Sequence, residues 1–91
     1  MQARQQMPKR GMHSNQEKAA VLSKSCLSMK DIRILEDCGH QKARVRAENF
    51  LDWFEEKYGY QTFERQIPTE EYIKFAGINE QRILKYAKLG Y

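Results

Sequence analysis

The chain predicts an all-α, or mostly α, fold: a compact helix-turn-helix bundle of about four helices, with a small β wing at residues 60–67 as an option. Three observations predict it. Apolar residues recur at spacings of three and four, Gly or Pro marks each junction between periodic stretches, and only Tyr60 to Phe63 alternates in the manner of a strand. Ninety-one residues bury about 60 to 65% of their unfolded surface, which supports a single core. Five Tyr, four Phe and one Trp within a 41% hydrophobic composition suffice to build it.

Met1 to about Ser25 is rich in Gln, Lys, Arg and Ser and has few large apolar residues besides Val21 and Leu22. Such a segment does not repay its ordering entropy. Residues 1–27 are therefore expected to form a flexible basic arm, with a helical turn around Gln16 to Leu22, and residues 28–91 the helix-turn-helix domain. Ser28-Met29-Lys30-Asp31 has capping-box spacing and opens a short helix carrying Ile32, Ile34 and Leu35, which Gly39 ends in the left-handed conformation. Gln41 to Tyr58 contains no Gly or Pro, and Ala43, Ala47, Phe50, Leu51, Phe54 and Tyr58 give it a helical stripe. Its opposite face carries Glu48, Asp52, Glu55 and Glu56. Pro68, Thr69, Glu70 and Glu71 open a third helix, with Thr69 as its cap, and Gly77 ends it. Asn79 caps a fourth, which carries Ile83, Tyr86 and Ala87.

Charge and composition exclude several functions. No apolar run approaches the roughly 18 to 20 residues that span a bilayer, and the mean hydropathy is -0.84. The first residues do not read as a secretory signal, so a cytoplasmic setting is expected, with Cys26 and Cys38 as thiols. Cys38-Gly39-His40 sets a soft ligand beside an imidazole, but the CxxC or HxxxH pairs of a zinc site are missing, and no metal or cofactor is expected. There is no phosphate-binding glycine loop and no nucleophile elbow, so the chain is not expected to be an enzyme. The net charge of +4 lies mainly in residues 1–30, with six basic and one acidic side chain, while residues 31–91 are close to neutral. A pI near 9.2 alone therefore argues only weakly for a polyanion partner.

Cys38-Gly39-His40-Gln41-Lys42-Ala43-Arg44-Val45 and Ala76-Gly77-Ile78-Asn79-Glu80-Gln81-Arg82-Ile83 share the pattern small-Gly-x-amide-x-x-Arg-aliphatic. Each is a candidate helix-turn-helix, with a small residue at the crossing, a turn glycine and an aliphatic that packs the second helix on the first. In one architecture the first copy binds and residues 60–67 form the wing; in the other the C-terminal copy does. In the first, Gln41, Lys42, Arg44 and Arg46 face a major groove, with Arg65 reaching from the wing; in the second, Asn79, Gln81, Arg82, Lys85 and Lys88 do. Arg4, Lys9 and Arg10 would add phosphate or minor-groove contacts from the arm.

Lys30-Asp31-Ile32, Cys38-Gly39, the Ala-Arg-containing second helix, Lys57-Tyr58-Gly59-Tyr60 and Arg65-Gln66-Ile67-Pro68 together resemble the small excisionase-like helix-turn-helix proteins of Gram-positive phages and mobile elements. The resemblance covers roughly residues 29–76. The turn-to-Ala spacing is shorter here, and the helix at Asn79 to Lys88 is additional. The resemblance implies a winged-helix binder of double-stranded DNA, acting with an integrase or as a transcription regulator; the small size of the chain makes a homodimer a candidate assembly. The second expectation is a non-enzymatic helical interaction module that docks on a host or phage protein through the acidic face and Trp53.

Overall fold

The computed structural model describes residues 13–90, which form five α-helices and, among the described residues, no strand. They are α1 (Asn15–Leu22), α2 (Met29–Glu36), α3 (His40–Tyr58), α4 (Thr69–Ala76) and α5 (Glu80–Lys88), with a 3-10 turn at Phe63–Arg65. The all-α expectation holds, with one helix more than expected.

Local chemistry sets the boundaries. Ser14 and Ser28 each close a capping box: the hydroxyls accept the amides of Glu17 and Asp31, whose carboxylates accept the serine amides in return. α3 runs unbroken until Gly59, at φ +81°, donates its amide to Glu55. α4 begins at Thr69 itself, with Pro68 in the capping position, so Thr69 is not the cap. Its hydroxyl instead donates to the Lys24 carbonyl at 2.6 Å.

Two connections bring the helices onto one core. The Leu27 amide donates to the Ile67 carbonyl at 2.8 Å and the Thr69 amide to the Ser25 carbonyl at 2.9 Å, clasping the approach to α2 against the approach to α4. Beneath this clasp lie Ile32, Ala43, Phe50 and Tyr72, all fully buried. The Phe50 ring meets Trp53, Phe54, Tyr72 and Phe75 at centroid separations between 5.6 and 6.0 Å. Tilted aromatic pairs of this kind each add about 0.5–1.5 kcal/mol beyond the area they bury. α3 packs along α2, α4 along α3, and α5 against α1.

Three expectations require correction. The folded unit begins before residue 28: Val21, Leu22 and Leu27 are buried, the Lys18 ammonium reaches Asp37 at 2.6 Å, and the His13 amide donates to Asp37 at 2.7 Å. Arg4, Lys9 and Arg10 lie outside the described residues. The wing is absent: residues 60–67 turn tightly at Phe63–Arg65, where Glu64 and Arg65 take φ of +51° and +55° and cannot continue an extended ladder. The left-handed residue that ends α2 is Asp37, at φ +52°, and Gly39 at φ -83° is the N-cap of α3.

The turn geometry also resets the internal echo. Asp37 and Gly77 both take the left-handed conformation, and both donate to a carbonyl four residues back, Arg33 and Ile73. The next amides, Cys38 and Ile78, donate to those same two carbonyls. Gly39 and Asn79 then cap the following helices. The two turns thus correspond forty residues apart, and the glycine-on-glycine match in the sequence is out of register by two.

Burial works against ionisation of Asp31, but the Ser28 amide and the Lys24 ammonium at 3.0 Å outweigh it and hold the carboxyl below its ordinary value. A depressed carboxyl contributes stability that is present above the unfolded value and is lost as pH falls through the folded one. Thermal or urea unfolding of Asp31→Asn should therefore show a flatter loss of stability than the parent chain as pH falls below about 4. Ser28→Ala should cost about 1 kcal/mol at neutral pH.

Candidate functional site

Among the described residues, the α2–turn–α3 unit presents four exposed cations without ion-pair partners, and α5 presents three. Ala43 and Ala47 are small enough for α3 to lie close on α2, and they are buried there with Leu35 and Cys38. At about 100° per residue, Ala43, Ala47, Phe50 and Phe54 define the inward line of α3. The outward line of its first two turns is then Gln41 and Val45, with Lys42 on one flank and Arg44 on the other, all exposed. α2 adds Lys30 and Arg33, exposed and three residues apart on the face opposite Ile32 and Leu35. No ion pair among the described residues involves Lys30, Arg33, Lys42 or Arg44. Burial and the Glu36 charge raise the Cys38 thiol above its ordinary value, against the opposing charges of Lys42, Arg33 and Arg46.

The start of α3 has its own electrostatics. Gly39 provides no side-chain cap and the first turn holds no acid, so its free amides point toward solvent with the positive end of the helix dipole. Further along, the same outward face becomes acidic through Glu48, Asp52, Glu55 and Glu56. The exposed acids of α3 thus begin only after its first two turns.

Two sequence candidates serve the structure instead. Arg46 points inward: its Nε and Nη2 donate to Glu36 Oε2 at 3.1 and 2.9 Å, and its guanidinium lies 4.9 Å from the Phe75 centroid. Tyr72 donates its hydroxyl to the same oxygen at 2.7 Å. Burial and the Glu36 charge push the Tyr72 phenol far above its ordinary value. Arg65 pairs with Glu48 at 2.9 Å, holding the turn after α3 against its outward face.

The C-terminal pair is arranged differently. Asn79 spends its side chain accepting the Arg82 amide at 2.9 Å, capping α5. Arg82 and Lys85 lean over the Tyr86 ring, at 5.5 and 5.9 Å from its centroid. Gln81, Lys85 and Lys88 are exposed with Leu84 and Leu89 along a shallow depression on α5. Gly39 and Asn79 share φ but differ in ψ, at -179° and 90°, which sends α5 to α1 whereas α3 lies on α2. Of the two sequence candidates, the structure thus brings Gln41, Lys42 and Arg44 together at a packed helix-turn-helix. Lys30 and Arg33 were missed by the sequence reading; their signal was a three-residue spacing on the polar side of a short helix.

Trp53 is a partly buried neighbour of Phe50 and Phe75, with the Lys57 ammonium 4.8 Å from its ring, and is not a free docking tip. Among the described residues, Tyr60 and Phe63 are the exposed large aromatics. No cluster of His, Cys, Asp and Glu among the described residues could hold a metal ion, and no described helix is long and apolar enough to cross a membrane. Comparison with family models, curated proteins and solved structures finds no match for the chain.

Different substitutions in this unit should separate folding from surface chemistry. Glu36→Ala strands the Arg46 and Tyr72 donors and should cost about 1–3 kcal/mol in urea unfolding. Lys42→Ala and Arg44→Ala should stay within about 0.5 kcal/mol of the parent. Because the Tyr72 value is raised, its contribution is complete below the ordinary phenol value and is lost as pH rises beyond it. Unfolding followed above about pH 10 should show this alkaline loss in the parent and a flatter limb in Tyr72→Phe.

Proposed function

We propose that the chain is a non-enzymatic binder of double-stranded DNA that seats the first two turns of α3 in the major groove. The observation that carries this reading is that α2 and the first two turns of α3, packed as a helix-turn-helix, expose Lys30, Arg33, Lys42 and Arg44 without ion-pair partners, on either side of an outward line that opens with Gln41. Lys and Arg at the rim would neutralise phosphates, and an amide on the outward line matches the paired donor and acceptor of adenine. Arg4, Lys9 and Arg10 precede α1 and would add phosphate contacts. Such a binder suits the excisionase-like or transcription-regulator role that the short sequence motifs suggest, with an integrase as a candidate partner.

Four phosphate contacts would give an affinity for a random-sequence duplex that falls with a log–log salt slope of about -3 to -4. Lys42→Glu should lower the affinity at least about tenfold and reduce the slope by about one, read by fluorescence anisotropy across a salt series. An unchanged slope would remove α3 from the interface.

A second reading has its own observation. Tyr60 and Phe63 are 62% and 75% exposed beside the acidic half of α3, as in a module that docks on a basic protein surface. That reading expects no duplex binding near 0.1 M salt and loss of a co-purifying protein when Asp52 and Glu56 are reversed to Lys.

A further inference from the structure

If α3 enters a major groove as proposed above, we infer that Val45 determines base preference by packing its methyl groups against the 5-methyl group of thymine. Val45 is 56% exposed, whereas Ala43, about 200° away around the helix, is fully buried. It therefore points directly away from the core. A β-branched residue at an exposed helical site loses rotamer freedom that Lys or Glu would keep, so helix formation gives no reason for it here.

No protein surface covers Val45. Its outward neighbours Gln41, Lys42, Arg44, Glu48 and Asn49 are all polar and exposed, so it belongs to no apolar patch of the protein. The flanking charges choose the occupant: Lys42 and Arg44 bracket the residue with unpaired cations and the acid beyond it, Glu48, is held by Arg65 at 2.9 Å, which suits a ligand whose edges are anionic and whose centre offers a small apolar group. In the major groove of duplex DNA that group is the thymine methyl, framed by two phosphate backbones. Gln41 lies one turn earlier on the same line, about 6 Å along the axis, close to two base-pair steps. The pair would select an adenine under Gln41 with a thymine methyl within about two base pairs of it.

The test uses the full chain and a duplex selected by it from a random pool. Each thymine of that duplex is replaced in turn by deoxyuridine, which removes the methyl and leaves every hydrogen-bonding edge intact. Anisotropy titrations should find one position where this weakens binding by about fourfold, the worth of one buried methyl group. Val45→Ala should bind both forms of that position equally, while Val45→Ile should keep the discrimination. Circular dichroism melts of both variants should match the parent, since the site is exposed. Binding that is indifferent to every uridine, or a methyl effect that survives in Val45→Ala, overturns the inference and leaves the DNA reading standing. Failure of the parent to bind any duplex at low salt overturns both.

Discussion

One carboxylate oxygen, Glu36 Oε2, ties three helices together. Glu36 ends α2, Arg46 reaches it from the middle of α3, and Tyr72 donates to it from α4. Tyr72 is fully buried, so its hydroxyl has no water to replace this acceptor, and its ring rests 5.6 Å from that of Phe50. Removing any member would leave buried donors or a half-buried charge without a partner, which costs more than the net gain of making the bonds. Because Arg46 is one turn beyond Lys42, this knot fixes the rotation of α3 about its own axis and decides which residues of its first two turns face outward.

The exposed cations of the α2–turn–α3 unit differ from those held in long-range ion pairs. Arg46 and Lys18 are held in half-buried ion pairs, and Arg65 in an exposed one, each joining segments distant in the chain. Lys30, Arg33, Lys42 and Arg44 have no such partner. Exposed pairs contribute little to stability, so the unpaired residues are not missing a structural opportunity of any size. Their positive charge lies on α2 and the first two turns of α3, ahead of the acids farther along α3.

Parts of this arrangement are legible in the sequence because they depend on neighbours in the chain. The capping box at Ser28 and Asp31, the unbroken stripe from Ala43 to Phe54 and the stop at Gly77 each follow from residues within a few positions of one another. α1 was read only as a helical turn because its support is tertiary: Lys18 on Asp37, and Val21 and Leu22 in a core built from later residues. The turn register is not legible from glycine alone, because Asp37, whose short polar side chain tolerates the left-handed region, takes it at the first turn where the pattern points to Gly39. Residues 60–67 lack a partner strand and contain two left-handed residues, which a short alternation cannot reveal. Among the candidate site residues, the exposure of Gln41, Lys42 and Arg44 follows from helical period alone. The inward role of Arg46 does not, since its partner Glu36 lies across the turn, and neither does the commitment of Asn79 to capping.

The last of these differences bears on which helix end would meet a polyanion. Both α3 and α5 begin with free amides, but Asn79 satisfies one of those of α5 with its side chain, and Glu80 adds an acid to that first turn. α3 begins with Gly39, His40, Gln41 and Lys42, with no side-chain cap and no acid. An anion at the start of α5 would have to compete with a carboxylate, whereas one at the start of α3 would find amides, the dipole and Lys42 acting in the same sense. With glycine at the cap, α3 is less stable locally than with a serine by roughly a few tenths of a kcal/mol. That small local cost falls at the end of α3 that carries Gln41, Lys42 and Arg44 and no acid.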